Sequence, residues 1–247
     1  MGKFARRCCR RETYAVLVGM AFILFQILSL AFPWYAIAAT ALPKPWDTMT
    51  AGFYWGGFEG LYSPPLTGNQ RTYNIPWGSM ASTMPKDVYM SSMAMSFLAL
   101  FSMCLLIVLI FFGYILPHTE RTIQIMFFGF FKWMVVLLCF ANLALSIISW
   151  TVFFAFPDAL YEANICPGSQ AYSPGPIPFL NGTQYFDPMF CLSFANSRTA
   201  FDGGEWVWGP SLGWIFSIIC TVLSAFVLFI MLTVPAKKDE SDYERIK

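Results

Sequence analysis

Four stretches of the chain run apolar with almost no charge: Tyr14 to Trp34, Tyr89 to Leu116, Phe130 to Phe156 and Trp208 to Val234. Each meets or exceeds the roughly 20 apolar residues that cross a hydrocarbon core about 30 Å thick. In lipid a span must satisfy its own backbone hydrogen bonds, so runs this long and continuous predict helices, not barrel strands. Between them the pattern changes. The first long connection, residues 35–88, is aromatic-rich and broken by glycines over Ala51-Gly52-Phe53-Tyr54-Trp55-Gly56-Gly57-Phe58-Glu59-Gly60-Leu61-Tyr62, which predicts short twisted strands joined by tight turns. The second, residues 157–207, carries prolines at 167, 174, 176, 178 and 188 and is expected to be free of helix. Its length marks it as a recognition element.

The expected fold class is therefore all-α in the membrane. It is one four-transmembrane-helix bundle over residues 14–234, with a small extracellular β-sheet from the first loop. Composition agrees: 57% of the 247 residues are apolar and 12% charged, which excludes an ordinary soluble domain.

Charge sets the orientation. Residues 1–13 hold Lys3, Arg6, Arg7, Arg10 and Arg11 against one acid, Glu12, and the tail over 235–247 holds Lys237, Lys238, Arg245 and Lys247. The long connections hold few bases, so both termini and the short Pro117 to Gly129 connection are expected on the cytoplasmic side. The protein would sit in the plasma membrane or the endomembrane system. Ala36-Ile37-Ala38 after a basic start and an apolar run resembles a signal-peptide cleavage site. The run is long for a signal peptide, and the expectation is a retained first span.

Asn181-Gly182-Thr183 is a glycosylation sequon on the side read as extracellular. Cys166 and Cys191 flank it and are the only cysteines outside the spans and the N-terminus, so they are expected to pair. Closing that loop would stabilise it by about 3.5 kcal/mol in the chain-entropy description. Cys104, Cys139 and Cys220 lie inside spans and are expected to pack as small hydrophobes. Cys8 and Cys9, set among arginines just before a span, form an expected S-palmitoylation site. Tyr243 and Ile246 fit a short tyrosine-based sorting signal.

The spans carry small and polar stripes at helical spacing: Ser92, Ser96 and Ala99; Asn142, Ser146 and Ser149; Gly213, Ser217, Thr221 and Ser224. Gln26 is expected to face the same interior. Helix packing is favoured over a polar conduit, because no acid or base joins these stripes. Trp34, Trp150, Trp206 and Trp208 are expected at the outer headgroup level and Trp133 at the inner, with Lys132 snorkelling beside it.

Gly209-Pro210-Ser211-Leu212-Gly213 matches a hydrolase nucleophile string. The only histidine, His118, falls on the opposite side of the expected bilayer, so the match is read as coincidence. A single histidine also removes most metal and haem sites. No phosphate loop or dinucleotide fingerprint occurs, and neither enzymatic activity nor a cofactor is expected.

Phe58-Glu59-Gly60-Leu61-Tyr62-Ser63, an aromatic followed by Glu-Gly-Leu, resembles the first-loop segment of the claudin and peripheral-myelin-protein superfamily. Trp34 after Pro33 is similar to that family's leading loop tryptophan. Met84-Pro85-Lys86-Asp87-Val88 is similar to its step into the second span. Tyr62 stands where the family has a tryptophan, and the family's paired first-loop cysteines are absent. The resemblance implies a left-handed helical bundle capped by a small extracellular sheet. The expected function is non-enzymatic: lateral or trans contacts with other membrane proteins, in a homo- or hetero-oligomer, with membrane lipids as further partners and no nucleic acid. Trp34, Phe53, Trp55, Phe58, Gly60, Leu61 and Tyr62 are the expected contact residues. The alternative is a channel subunit or transport-accessory protein whose polar stripes line a pathway.

Overall fold

The computed structural model describes residues 11–40, 48–54, 56–63, 71–77, 83–111, 124–162, 193–199 and 205–234. Four helices are long and apolar enough to cross a membrane. They are α1 (Arg11–Ala31), α2 (Met84–Ile110), α3 (Gln124–Val152) and, last in the chain, α5 (Leu212–Thr233). A 3₁₀ turn at Phe153–Ala155 carries α3 directly into α4 (Phe156–Glu162). Large apolar side chains such as Leu17, Phe101, Leu137 and Phe229 are mostly exposed, which suits hydrocarbon and not water.

Six strands form one antiparallel sheet: β1 (Tyr35–Thr40), β2 (Thr48–Tyr54), β3 (Gly57–Ser63), β4 (Arg71–Pro76), β5 (Asn196–Thr199) and β6 (Glu205–Pro210). Their order is β4-β3-β2-β1-β6-β5. The aromatic segment of the first connection folds as expected, as the β2–β3 hairpin with Tyr54 opposite Gly57 across a two-residue turn. The expected sheet drew on the first connection alone, however, and the structure adds β5 and β6 from the second. Trp206-Val207-Trp208 has the period-2 pattern of a strand, but it straddles the expected boundary between the second connection, ending at 207, and the span beginning at Trp208. Pro210 separates the two.

The second connection also holds a helix where none was expected. Pro157 causes no break because it occupies the first turn of α4, where its fixed φ suits a helix, and the Phe153 carbonyl four residues back already accepts from the Phe156 amide. Likewise α2 starts at Met84, before the apolar run, because Pro85 and Asp87 both suit a first turn. The Asp87 amide donates to the Thr83 carbonyl at 2.9 Å.

The chain divides into two compact units. One comprises residues 27–95 and 148–217: the sheet with the adjoining helical turns. The other comprises residues 1–26, 96–147 and 218–247: the remaining turns of the four long helices.

Candidate functional site

In the sheet unit, alternation along the strands sends one row of side chains inward. Tyr35 and Ile37 of β1, Ala51 and Phe53 of β2 and Trp208 of β6 are all buried. The register makes them cross-strand neighbours: Tyr35 faces Phe53, and Ile37 lies between Ala51 and Trp208. Against them pack Trp77, Tyr89 of α2, and Phe153 and Phe156 of the α3–α4 junction. Phe153 and Phe156 stack at 4.9 Å, while Phe53 meets Phe156 edge-on at 5.1 Å. Such pairs contribute about 0.5–1.5 kcal/mol each beyond their buried area.

The indole of Trp34 and the hydroxyls of Ser29 and Tyr89 are tied to backbone. The Phe53 carbonyl accepts from the Trp34 amide at 3.2 Å and from the Tyr89 hydroxyl at 3.0 Å. Trp34 Nε1 donates to the Ser29 carbonyl, and the Ser29 hydroxyl donates to the Gly213 carbonyl, both at 2.8 Å. The Gly213 amide donates to the Pro33 carbonyl at 3.0 Å. A Cβ on Gly213 would sit 2.5 Å from both the Phe32 carbonyl oxygen and Trp34 Cδ1, so only glycine permits this approach of α5 to the end of α1. The Tyr35 hydroxyl is buried without a partner, and burial raises its pKa well above the usual phenol value. Tyr54 is also raised, by burial first and then by the Glu59 carboxylate.

The opposite face of the sheet is different. The register aligns Thr72, Leu61, Thr50, Ala38, Val207 and Ser197 in one row across all six strands. Leu61 and Ala38 are half-buried and the other four are exposed. The row carries no charge. Glu59, two residues from Leu61, is exposed on the same face, in the row Asn74–Glu59–Gly52–Ala36, and Glu205, two residues from Val207, is exposed there too.

In the other unit the interior is apolar and laced with amides and hydroxyls. Asn142 of α3, fully buried, donates through Nδ2 to the Ala99 carbonyl at 2.7 Å and to Ser102 Oγ at 2.5 Å, both on α2. Its Oδ1 accepts from Ser224 Oγ of α5 at 2.6 Å. One amide thus joins three helices, with its donors and acceptor satisfied. The apolar core of the same unit includes Phe22, Met103, Leu106, Cys139 and Val227. Gln26 Nε2 and Ser146 Oγ are buried without partners.

Several sequence expectations now have places. Trp34 and Phe53 are buried, so they support the sheet from within and do not lie on its exposed face. Trp34 and Trp208 were expected at headgroup level. Both are buried within the protein, and each donates its indole N–H to a carbonyl, Ser29 and Ser193 respectively. Gly60 is buried in the inward row and Leu61 lies in the outward one. Phe58 and Tyr62 occupy β3 positions opposite Phe53 and Met49, with their side chains outside the described residues. Trp55, Cys8, Cys9, Cys166, Asn181, Cys191, Tyr243 and Ile246 lie outside the described residues altogether. Cys139 and Cys220 are buried as expected, but Cys104 is exposed, because α2 is apolar on every side and its outward positions are apolar too.

Ser211 does stand on a strand-to-helix turn, between β6 and α5. Its amide is taken by the Trp34 carbonyl at 2.9 Å, and no histidine lies among the described residues. No group of three or more metal-ligating side chains lies among the described residues. Tyr35, Tyr89, Trp77 and Phe156 were missed as core; the odd-numbered alternation Tyr35–Ile37, facing Ala51 and Phe53, is the signal that finds the first. No protein-family model and no curated protein matches the chain.

Proposed function

We propose that this chain is a claudin-like four-span membrane protein that works without catalysis, through contacts with other membrane proteins, laterally or between membranes. Both termini would be cytoplasmic and the sheet extracellular or lumenal. Cys166 and Cys191 would be bonded, Asn181 glycosylated, and Cys8 and Cys9 acylated. The observation that carries the reading is the uncharged outward row Thr72–Leu61–Thr50–Ala38–Val207–Ser197. A sheet face built of threonine, alanine and branched aliphatics, with its two acids Glu59 and Glu205 in the flanking rows, suits a protein contact better than a solvated surface. The buried aromatics beneath hold that face rigid.

The test is association of full-length protein in mild detergent, read by co-purification and cross-linking. Thr50→Lys/Val207→Lys should abolish it with the melting temperature unchanged, while Glu59→Gln should leave it intact. Undiminished association of the double variant would reject the reading.

A second reading has one observation in its favour. Gln26 Nε2 and Ser146 Oγ are buried polar atoms without partners in one helical unit, and a hydrated pathway would satisfy them. It requires the protein to pass ions or small polar solutes in liposomes, and Gln26→Leu to change that flux.

A further inference from the structure

Two cations converge on the last turn of α5. Arg11, at the first residue of α1, donates from a guanidinium nitrogen to the Thr233 carbonyl at 2.7 Å. Lys132, near the start of α3, donates from Nζ to the Val234 carbonyl at 2.5 Å. The turn is still helical there, since the Val234 amide bonds to the Ile230 carbonyl at 3.2 Å. Consecutive carbonyls of a helix stand only a few ångströms apart, so the two charged nitrogens lie within roughly 9 Å of each other. That is about one Debye length at ordinary ionic strength.

The carbonyls explain why the cations are held here but do not neutralise them. A helix C-terminus offers about half a negative charge, set against two full positive ones. Each cation uses one donor on the described residues, which leaves four guanidinium and two ammonium hydrogens. Glu12 is the acid nearest Arg11 in sequence and Glu120 the one nearest Lys132, and among the described residues no acid pairs with either cation. Lys132 is half-buried and Arg11 exposed, so the pair faces outward at the end of the spans. Beside Lys132, Trp133 is 66% exposed, the placement of an interfacial indole.

We propose that Arg11 and Lys132 form a binding site for the phosphate headgroup of an anionic phospholipid at this end of the helices. It rests on the four helices crossing a bilayer and not on the contact role of the sheet. Two donors fixed by backbone are pre-positioned for one phosphodiester, whose oxygens accept charge-assisted hydrogen bonds from both. Bases attract anionic lipid at about 1 kcal/mol each through the surface potential alone, with no fixed geometry required.

The full chain reconstituted in phosphatidylcholine bilayers, probed with spin-labelled phosphatidylserine and phosphatidylcholine, tests this. Wild type should prefer the anionic label, with each neutralisation, Arg11→Gln or Lys132→Gln, lowering the preference roughly fivefold at low salt. Arg11→Lys/Lys132→Arg should retain it. Neutralising Arg6, Arg7 and Arg10 together should cost less than the pair, although it removes more charge. Inorganic phosphate should compete no better than chloride at equal ionic strength. If the Arg11→Gln/Lys132→Gln chain does not fold, Arg11→Gln alone carries the test, because that residue is exposed. The proposal fails if wild type shows no preference or if the pair variant keeps it. It also fails if the three distal arginines matter more, or if inorganic phosphate displaces the lipid, which would make the occupant a free anion.

Discussion

The two units are stabilised by opposite means. The helical unit has an apolar interior joined by one amide: Asn142 links α2, α3 and α5 through three short hydrogen bonds. The sheet unit has an interior of rings, with carbonyls such as Phe53 and Ser29 taking the N–H and O–H groups those rings bring along. Between helices already surrounded by lipid, apolar contact gives no preference for one packing, and polar pairs supply it. A sheet with one exposed face has a hydrophobic gradient to use and can rely on aromatic burial. The two interiors should therefore fail differently when altered.

The largest effect is expected in the aromatic unit. Trp34→Ala deletes a buried indole packed on Tyr89 and Phe153 and should cost about 3–5 kcal/mol, read as a large fall in melting temperature. Gly213→Ala comes next. Its Cβ would meet two backbone carbonyls that cannot swing aside, so a loss of about 1–3 kcal/mol is expected. A Gly213→Ala chain as stable as wild type would mean that the close approach of α5 to Pro33 is absent. In the helical unit Asn142→Leu should cost only about 1–2 kcal/mol, since hydrogen bonds within membranes are individually modest. Gln26→Leu, which removes a buried amide without a partner for its nitrogen, should cost nothing or stabilise. If Gln26→Leu destabilises as much as Asn142→Leu, the contrast between a satisfied and an unsatisfied amide is wrong.

Tyr35 sharpens the comparison from the other side. Its buried hydroxyl has no partner, so Tyr35→Phe should raise stability slightly. The sign of its pH dependence follows from burial. The phenol is raised in the folded protein, so its contribution is constant below about pH 10, the unfolded phenol value, and stability falls above it as the unfolded chain ionises. Tyr35→Phe should flatten that alkaline limb.

Much of the helical unit was legible from residue order, because a long charge-free run reads as a span and polar residues at helical spacing mark its inward face: Asn142 and Ser146, four residues apart, are both buried. The aromatic unit was legible only in part. The glycine-spaced hairpin Phe53–Phe58 announced itself, but β1 did not: Tyr35-Ala-Ile-Ala-Ala-Thr lies outside that glycine-broken segment, and its Ala36-Ile37-Ala38 reads as a cleavage-site pattern. Trp206 to Trp208 straddled the expected start of the last span at Trp208, and pairing across more than 160 residues, as between Ala38 and Val207, leaves no local trace. The exposed row was illegible for the same reason, since its six members come from six strands and become neighbours only through register. Aromatic density drew attention to Trp34 and Phe53, which lie on the other side of the sheet.

Lysines at Thr50 and Val207 should have the smallest effect on stability, within about 0.5 kcal/mol, because both side chains are exposed. Their effect on association tests the central claim most directly. Thr50→Lys/Val207→Lys, compared with wild type by cross-linking and co-purification of the full chain in mild detergent, should lose its partners while melting at the wild-type temperature. Partners retained at wild-type level by a folded double variant would contradict the account and return the sheet face to solvent.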